Sequence, residues 1–221
     1  YEQLLAAQPT SYPKMHIDEN EPLGICYTSG TTGRPKAAVY THRSTFLHAQ
    51  AVGAPTGMRV GPEDTVLPMV PMFHANAWGL PYAAVACGAN IALFAGALHA
   101  PDFVDLLVNE HVSVAAGVPT VWLAVAEELA SRGAALPDLK HIACGGSQPP
   151  RALIERYRDQ FGVDIIQAWG MTETSPLASM AWPQPRMRDW DADTLTSVVR
   201  SQAGRPLPGV EISIRDEHGA E

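Results

Sequence analysis

The sequence predicts an α/β fold in which mainly parallel sheets are covered by helices. Short apolar runs alternate with helical patterns along most of the 221 residues, which is typical of strands joined by helices. One helical pattern begins at Pro119 and stops at Gly133, the residue types that commonly start and end a helix. Ligands bind such sheets where loops leave the carboxyl ends of the strands, so we expect the site there.

The predicted elements follow one another in a regular order up to about residue 170. Apolar runs predict strands at 23–28, 64–70, 90–96, 113–118, 139–144 and 163–170. Helical patterns lie between them at 44–54, 79–89, 100–112, 119–133 and 149–162.

The pattern changes towards the end of the chain. Residues 180–203 are predicted to form a long excursion with one short helix, and 209–216 alternates apolar and polar residues like a half-buried antiparallel strand. We therefore predict a partial α/β domain over 1–203 and the beginning of a truncated β-type subdomain over 204–221. Because the chain starts without Met and ends in mid-pattern, we expect it to be a fragment of a longer protein.

Composition disfavours several classes of protein. The formal net charge is -8 and no basic stripe is present, which argues against a nucleic-acid partner. Three cysteines lie far apart and match no metal-site spacing, so we expect a reducing, cytoplasmic location. The stretch from Thr65 to Pro101 contains no charged residue and is long enough to cross a bilayer. Prolines and polar residues interrupt it, so we predict a buried part of the core rather than a transmembrane segment.

A stretch rich in hydroxyls and glycines, "YTSGTTGRPKAAVYTH", follows the first predicted strand. Glycine lets the backbone approach a phosphate closely, hydroxyls add hydrogen-bond donors, and Lys36 adds a mobile positive charge. The spacing excludes a Walker A loop, because only two residues separate Gly30 from Gly33 and Lys36 is followed by Ala37. The stretch is interpreted as a phosphate cradle, with a polar hairpin turn as the alternative.

The same stretch resembles the signature of the adenylate-forming (AMP-binding) superfamily of acyl-CoA synthetases, commonly Tyr-Thr-Ser-Gly-Thr-Thr-Gly-x-Pro-Lys-Gly. Ala37 stands where the signature usually has glycine, which is a mild departure. The resemblance implies that this loop grips the β- and γ-phosphates of ATP and that Lys36 is a catalytic residue. The residues implied in the contact are Thr28, Ser29, Gly30, Thr31, Thr32, Gly33 and Lys36.

Two further blocks resemble the same family and occur in the expected order. "GGSQPP" is similar to its adenine-binding loop, and "QAWGMTETSP" to the block usually read Tyr-Gly-x-Thr-Glu. Trp169 takes the place of the common Tyr and still offers a flat ring for stacking on adenine. The residues implied in nucleotide binding are Gly145, Gly146, Ser147, Gln148, Pro149, Gln167, Ala168, Trp169, Gly170, Met171 and Thr172.

The last block also supplies two residues with an implied catalytic role. By resemblance, Thr172 contacts phosphate and Glu173 holds Mg²⁺. Mg²⁺ prefers hard oxygen ligands and usually takes one or two carboxylates plus substrate phosphates, which agrees with this role. A helix N-cap or a surface carboxylate is the alternative for Glu173.

A fourth block, "PMFHANAWGLP", resembles the segment beside the family's carboxylate-substrate pocket. The resemblance implies that His74 is catalytic and lies near the reacting carboxylate, with Phe73 packed behind it. Trp78 would close an acyl tunnel. A structural histidine and an ordinary buried tryptophan are the alternatives. His42 and His48 flank the first helix, and helix capping is as good an interpretation of His42 as catalysis.

The sequence of this block, together with "AGVPTVWLA" further on, resembles that of bacterial medium- and long-chain fatty-acyl-CoA synthetases. Val118 and Pro119 would then line the same acyl channel. In that family a carboxylate attacks the α-phosphorus of ATP to give acyl-AMP and pyrophosphate, and a thiol displaces AMP. We therefore predict a fatty-acid–CoA ligase that uses ATP, Mg²⁺ and CoA. Peripheral membrane contact and a homodimer of the full-length protein are left open.

Other functions are also compatible with these motifs. An aryl- or other acid-CoA ligase, or a carrier-loading adenylation domain, would use the same chemistry on another acid. A non-catalytic nucleotide- or lipid-binding module would be indicated by loss of the loop donors or of Glu173, and both are present. The family's ribose-binding Asp, a further Arg and a late Lys are expected beyond residue 221, so the chain alone is expected to be inactive.

Overall fold

A seven-stranded sheet forms the centre of the fold. The computed structural model describes residues 2–30, 33–94 and 99–220. The strands are β3 (Thr65–Pro68), β4 (Asn90–Ile91), β5 (Val114–Gly117), β6 (His141–Cys144), β7 (Asp164–Gly170), β8 (Leu177–Met180) and β9 (Arg205–Pro206). They lie in the order β4-β3-β5-β6-β7-β8-β9. Strands β3 to β7 pair in parallel and β8 and β9 antiparallel, which confirms the predicted mainly parallel architecture.

Helices cover both faces of this sheet. Along β5, Val114 and Ala116 belong to one apolar cluster and Ala115 to another, because successive side chains of a strand point to opposite faces. The helices are α1 (Glu2–Ala6), α2 (His42–Gly53), α3 (Ala75–Trp78), α4 (Leu80–Cys87), α5 (Ala100–Asn109), α6 (Pro119–Arg132), α7 (Arg151–Arg156) and α8 (Ala192–Leu195). Residues of α2 and α4 join the first cluster, and residues of α5, α6 and α7 join the second.

A two-stranded antiparallel ribbon lies outside the central sheet. It consists of β1 (Pro22–Thr28) and β2 (Lys36–Thr41), joined by the glycine-rich stretch. The sequence predicted β1 but not β2, and it placed β1 among the parallel strands. The strand at residues 36–41 begins directly after the glycines and the proline. The sequence analysis therefore treated these residues as part of the loop.

Two other boundaries differ from the sequence prediction. The strand predicted at 90–96 is formed only by β4, and Ala95 and Gly96 lie outside the described residues. The helix predicted at 100–112 ends at Asn109, because His111 adopts a left-handed conformation with φ of 50°. The short helix predicted within 180–203 is present as α8.

Residues 209–216 form no strand, contrary to the prediction. The alternating pattern is present, yet Ile212 and Ile214 are exposed, and no described strand lies beside this segment to pair with it. Because a strand needs a neighbour to satisfy its backbone groups, the pattern alone does not produce one. The preceding strand, β9, pairs with β8 of the central sheet. The predicted boundary between residues 203 and 204 stays a prediction.

A buried carboxylate ties together the amino ends of β3, β5 and β6. Asp64 is only 1% exposed. Its side chain accepts hydrogen bonds from the hydroxyl of Ser113 at 2.5 Å, the ammonium of Lys140 at 2.7 Å and the amide of Gly61 at 2.8 Å. This cluster stabilises the edge of the sheet opposite the carboxyl ends of the parallel strands.

Candidate functional site

A cleft opens at the carboxyl ends of β6 and β7. Its walls come from three sequence blocks: the segment before α4, the glycines after β6 and the turn after β7. The predicted site residues that line this first cleft are His74, Trp78, Gly145, Gly146, Ala168, Gly170, Met171 and Thr172.

Two glycines form one wall of the first cleft, beneath the ring of Trp78. A Cβ on Gly145 would lie 2.5 Å from the carbonyl oxygen of Ala168 and 3.2 Å from Cη2 of Trp78. Gly146 has φ of +78°, and its Cβ would lie 3.1 Å from Cγ1 of Val118. Larger residues therefore do not fit at either position, and the bare backbone borders the cleft directly.

Trp78 is held by an unusual backbone turn. Ala75, Asn76, Ala77 and Trp78 all have positive φ, between 46° and 57°. For residues with a Cβ, each such conformation costs roughly 1–2 kcal/mol relative to the right-handed form. Strain of this kind tends to occur at functional sites, and here it keeps Trp78, only 7% exposed, against the glycine wall.

A second cleft brings the phosphate-loop hairpin next to Glu173. The residues that line it include Thr28 and Lys36 at the open end of the hairpin, Tyr40 further along β2, and Glu173 and Ser175. Lys36 and Glu173 are both exposed, so each can approach a ligand in this space. The two groups that were predicted to act on phosphate and metal therefore lie on one side of the molecule.

The glycines of the hairpin loop adopt conformations that other residues avoid. Gly30 and Gly33 have φ of +66° and +77°, and the amide of Gly33 donates to the carbonyl of Gly30 at 3.3 Å. A Cβ on Gly30 would lie 2.2 Å from the carbonyl oxygen of Arg34. Ser29 is exposed beside them. The predictions for Thr31 and Thr32 concern positions outside the described residues.

The two clefts adjoin at the short 3₁₀ turn Thr172–Thr174. Thr172 lines the first cleft, and its neighbour Glu173 lines the second. The hydroxyl of Tyr40 donates a hydrogen bond to the carbonyl oxygen of Thr172 at 2.6 Å. Burial raises the pKa of Tyr40, and the nearby thiol of Cys26 and the carboxylate of Glu173 raise it further, so the phenol stays protonated and able to donate.

Several residues predicted to bind nucleotide lie away from the first cleft's lining. Ser147 and Gln148 are exposed, and the side-chain nitrogen Nε2 of Gln148 donates a hydrogen bond to the carbonyl oxygen of Ser201 at 2.7 Å. Pro149 is buried. Gln167 is 7% exposed, and its side-chain oxygen has no hydrogen-bond partner among the described residues. Trp169 is 38% exposed and does not line the first cleft.

The predicted acyl-site residues are only partly brought together. Trp78 and His74 line the first cleft, and Val118 approaches it through its contact with Gly146. Pro119 is buried as the first residue of α6. Phe73, however, is 88% exposed, so it does not pack behind His74 as expected. No described element lies over Phe73, which is the physical reason for the difference.

The two histidines that were predicted to flank the first helix both lie within α2, His42 as its first residue and His48 near its middle. Thr41, not His42, is the N-cap of α2, and its hydroxyl accepts from the amide of Ser44 at 3.0 Å. Nε2 of His48 accepts a hydrogen bond from the amide of Leu177 at 3.0 Å. Burial lowers the pKa of His48 to about 4, so this imidazole is neutral at physiological pH.

Tyr40 and His48 are site-supporting residues that the sequence analysis did not assign. Both are buried, and both contact the turn or strand after β7. A weak signal for Tyr40 was available, since it lies four residues after Lys36 and so shares its face if the segment is a strand. The contact of His48 depends on tertiary packing alone.

Neither a metal cluster nor a membrane-spanning helix is found in the part of the chain that the structure describes. No group of three or more His, Cys, Asp or Glu side chains within residues 2–30, 33–94 and 99–220 could hold a metal ion. None of the helices in those ranges combines the length and the apolar character that crossing a bilayer requires. Among the described residues that line the second cleft, Glu173 is the one carboxylate, so a cation there would need further oxygen ligands from a substrate or water.

Comparison with known proteins identifies the family. The chain matches the AMP-binding enzyme family over residues 2–221 and belongs to that family. The medium-chain-fatty-acid–CoA ligase of Ectopseudomonas oleovorans is 42% identical over 219 residues, which cover 99% of this chain and 40% of that protein. The resemblance drawn from the sequence blocks is thereby confirmed.

Two other relatives show the range of acids in the family. The long-chain-fatty-acid–CoA ligase of Thermus thermophilus is 40% identical over 205 residues, covering 93% of this chain and 38% of that protein. The 3-methylmercaptopropionyl-CoA ligase of Ruegeria lacuscaerulensis is 38% identical over 219 residues, covering 99% and 40%. The chain thus spans about 40% of the length of these relatives.

The fold is also found in a solved structure. The inhibitor-bound N-terminal domain of FACL13 from Mycobacterium tuberculosis superposes with a TM-score of 0.84 at 25% sequence identity. The match covers 99% of this chain and 52% of that one. The arrangement of a mostly parallel sheet between helix layers is therefore that of the N-terminal domain of an adenylate-forming enzyme.

Proposed function

We propose that the protein is an ATP-dependent fatty-acid–CoA ligase and that this chain supplies part of its nucleotide and acyl site. One observation carries the proposal: Lys36 and Glu173, distant in sequence, line a single cleft. That cleft adjoins a second one walled by Gly145 and Gly146. ATP has a charged triphosphate and a flat base. The cleft with Lys36 and Glu173 suits the triphosphate, and the cleft walled by glycine backbone suits the base.

The proposed first step is the activation of a carboxylate. A carboxylate is a poor acyl donor because its leaving group would be oxide. When a carboxylate oxygen attacks the α-phosphorus of ATP, the bond to the β-phosphate breaks and pyrophosphate leaves with its negative charge. The protein's part in such a step is mainly to position the reactants and neutralise charge. Lys36 would follow the departing pyrophosphate, and Thr28 and the loop amides would hold it.

The residues present suit a magnesium ion that is shared with the substrate. Glu173 offers one exposed carboxylate beside Thr28 and Lys36. Mg²⁺ commonly binds through one or two carboxylates and completes its shell with phosphate oxygens and water. When bound, the ion would neutralise charge on the phosphates. Glu173 would be its protein ligand, with Thr172 beside it directed to phosphate.

The first cleft is the proposed place for adenosine and the acid. Gly145 and Gly146 leave room for a base to lie against the backbone, with the remaining residues of the 145–149 loop at its edge. Trp78 lies against these glycines and lines the same cleft as His74. His74 is exposed at the rim, where it can meet the carboxylate of the acid. Stacking of Trp169 on adenine stays a sequence-based prediction, since its ring does not line the first cleft.

Medium- and long-chain fatty acids are the proposed substrates. The two relatives with the highest identities among those described are named for such acids. A short sulfur-containing acid is the main competitor, since a relative at 38% identity is named for one. CoA is the proposed acceptor of the acyl group, and the cytoplasm is the proposed location. The division into an AMP-binding part, 1–203, and a β-type part from 204 is proposed on the sequence pattern.

An acid profile of the full-length protein tests this proposal. Pyrophosphate release and CoA consumption are measured with octanoate, palmitate, 3-(methylthio)propionate and benzoate. We expect the highest kcat/KM with octanoate or palmitate. A higher value with benzoate or the sulfur-containing acid would overturn the fatty-acid assignment, and no release with any acid would overturn the ligase assignment.

The Lys36→Ala variant tests the role of the phosphate cradle. Because removal of one preorganised charge-stabilising group commonly costs about a hundredfold or more in rate, we expect a loss of that size in pyrophosphate release. Lys14→Ala is the matched control, since Lys14 is an exposed lysine that precedes the ribbon. Residues 1–221 alone are expected to release no pyrophosphate.

A further inference from the structure

Tyr40 links the hairpin that carries Lys36 to the turn that carries Glu173. Its hydroxyl donates to the carbonyl oxygen of Thr172 at 2.6 Å. Its side chain is only 4% exposed, so water does not compete effectively for this bond. Among the described residues, it is the one hydrogen bond that joins the hairpin to the 3₁₀ turn.

The geometry of β2 places Tyr40 and Lys36 in the same structural unit. They are four positions apart and therefore lie on the same face of the strand. Both line the second cleft, together with Thr28, which pairs with Lys36 across the ribbon. Tyr27 of β1 faces the opposite way and is 70% exposed. The buried phenol is thus the inner anchor of the face that ends in the lysine.

The ribbon needs such an anchor because it is not part of the central sheet. Among the described residues, no ladder hydrogen bonds connect β1 or β2 to the strands of the seven-stranded sheet. An isolated two-stranded ribbon is marginally stable in water, so its position depends on contacts with the rest of the domain. The turn at Thr172–Thr174, by contrast, follows β7 directly and is tied to the sheet.

We propose that Tyr40 is a positioning residue, whose hydrogen bond to Thr172 fixes the spacing between Lys36 and Glu173. This inference rests on the proposed function, in which those two side chains act on one triphosphate. Tyr40 would act through the turn and would not itself touch the substrate. Losing the bond would allow the hairpin and the turn to move independently, while the acid-binding side of the first cleft would be left unchanged.

The variant Tyr40→Phe in the full-length protein isolates this bond, because it removes the hydroxyl and keeps the buried ring. We expect the KM for magnesium–ATP to rise about three- to tenfold, the range expected for one net hydrogen bond, and kcat to fall. The KM for octanoate should stay within twofold of the parent value. Tyr27→Phe, which removes an exposed hydroxyl from the neighbouring strand, is the matched control and should change neither constant.

A second measurement does not depend on activity. Amide hydrogen exchange over the ribbon strand at residues 36–41, and over the turn at residues 171–176, should be faster in Tyr40→Phe than in the parent protein or in Tyr27→Phe. Unchanged exchange in both segments would overturn the inference. So would a variant that melts at lower temperature but keeps both KM values, because that result describes a purely structural tyrosine. A parent protein that releases no pyrophosphate with any acid would instead contradict the proposed function, and the exchange experiment would still decide whether Tyr40 tethers the turn.

Discussion

Lys140 donates a hydrogen bond of 2.7 Å to the carboxylate of Asp64, a side chain that is almost completely buried. The pair closes the amino-terminal edge of the parallel sheet, far from the proposed chemistry. Burial would raise the pKa of Asp64, but hydrogen bonds from Lys140, Ser113 and Gly61 outweigh it and hold that pKa below its usual value. Asp64 is therefore charged in the folded protein, and its charge is satisfied.

Replacing Asp64 should weaken the fold and change its response to acid. In Asp64→Asn, hydrogen bonds to a charged group are lost, and we expect the free energy of unfolding to fall by about 1–3 kcal/mol. Urea denaturation at neutral pH measures this. The depressed pKa means that the contribution of Asp64 is present above about pH 4, the usual pKa of an unfolded aspartate, and is lost as pH falls through the lower folded pKa.

The acid response separates this effect from a general loss of stability. The parent protein should lose stability below about pH 4 more steeply than Asp64→Asn. Glu127→Gln is the control, because Glu127 is an exposed partner of Arg156 and surface pairs contribute little. Parallel curves for the parent and Asp64→Asn across this pH range would be inconsistent with the role given to the buried carboxylate.

His48 should produce a second, separate pH effect. Burial lowers its pKa to about 4, whereas an unfolded histidine titrates near 6.5. The unfolded chain therefore binds a proton first, and the stability held by neutral His48 declines as pH falls from about 6.5 towards about 4. The linked change is about 3 kcal/mol.

Two measurements check the assignment of His48. The imidazole resonances should titrate with a midpoint near pH 4 in the folded protein. In His48→Gln, the slope of unfolding free energy against pH between about 4 and 6.5 should be smaller than in the parent. Substituting His16, which is exposed, should leave that slope unchanged. A His48 midpoint near 6.5 would be incompatible with a buried, neutral acceptor.

Gly146 should be required for binding beyond its backbone conformation. Gly146 and Gly162 both have positive φ, so alanine at either position should cost roughly 1–2 kcal/mol of stability. Only at Gly146 would the new Cβ approach a neighbour, Cγ1 of Val118 at 3.1 Å, while nothing lies within 4 Å at Gly162. We expect Gly146→Ala to weaken binding of a non-hydrolysable ATP analogue at least tenfold, measured by calorimetry. Equal affinities for the two variants would show that the first cleft does not hold the nucleotide.

The left-handed turn before Gly79 makes a further prediction about stability. Ala77 and Ala83 are both fully buried, but Ala77 has φ of 50° and Ala83 lies in the right-handed helix α4. Glycine at 77 loses one buried methyl, worth about 0.8 kcal/mol, and relieves strain of similar size, so the change should be close to neutral. Glycine at 83 loses the methyl and helix propensity, and should cost about 1.5–2 kcal/mol. Chemical denaturation compares the two, and an equal cost at both positions would argue against the strained turn.

The sequence predicted the parts of the fold that depend on local pattern. Alternation of apolar runs with helical segments was enough for the parallel sheet, because crossover connections impose that topology. Residues 209–216 show the limit: their pattern is that of a strand, but pairing depends on a neighbour that the pattern does not encode. β2 was missed for the converse reason, since its pairing with β1 is visible only once the hairpin is closed.

The candidate site shows the same division. The roles of the glycines at 145 and 146 were implied by the resemblance of "GGSQPP" to the family's adenine-binding loop. The partners of Tyr40 and His48 could not, since Thr172 and Leu177 lie more than a hundred residues away and meet them only in the folded chain. The exposure of Phe73 was equally unpredictable, because it depends on which elements lie above it.

The adjacent residues Thr172 and Glu173 line different clefts of the site, Thr172 the first and Glu173 the second. The length of this short connection is therefore as constrained as its chemistry. We expect that adding or removing one residue between Met171 and Ser175 would move the carboxylate of Glu173 towards the first cleft. Lys36 would then lack an acidic partner in the second cleft. A substitution in this connection changes one side chain and so affects one cleft. A change in its length would disturb both clefts together.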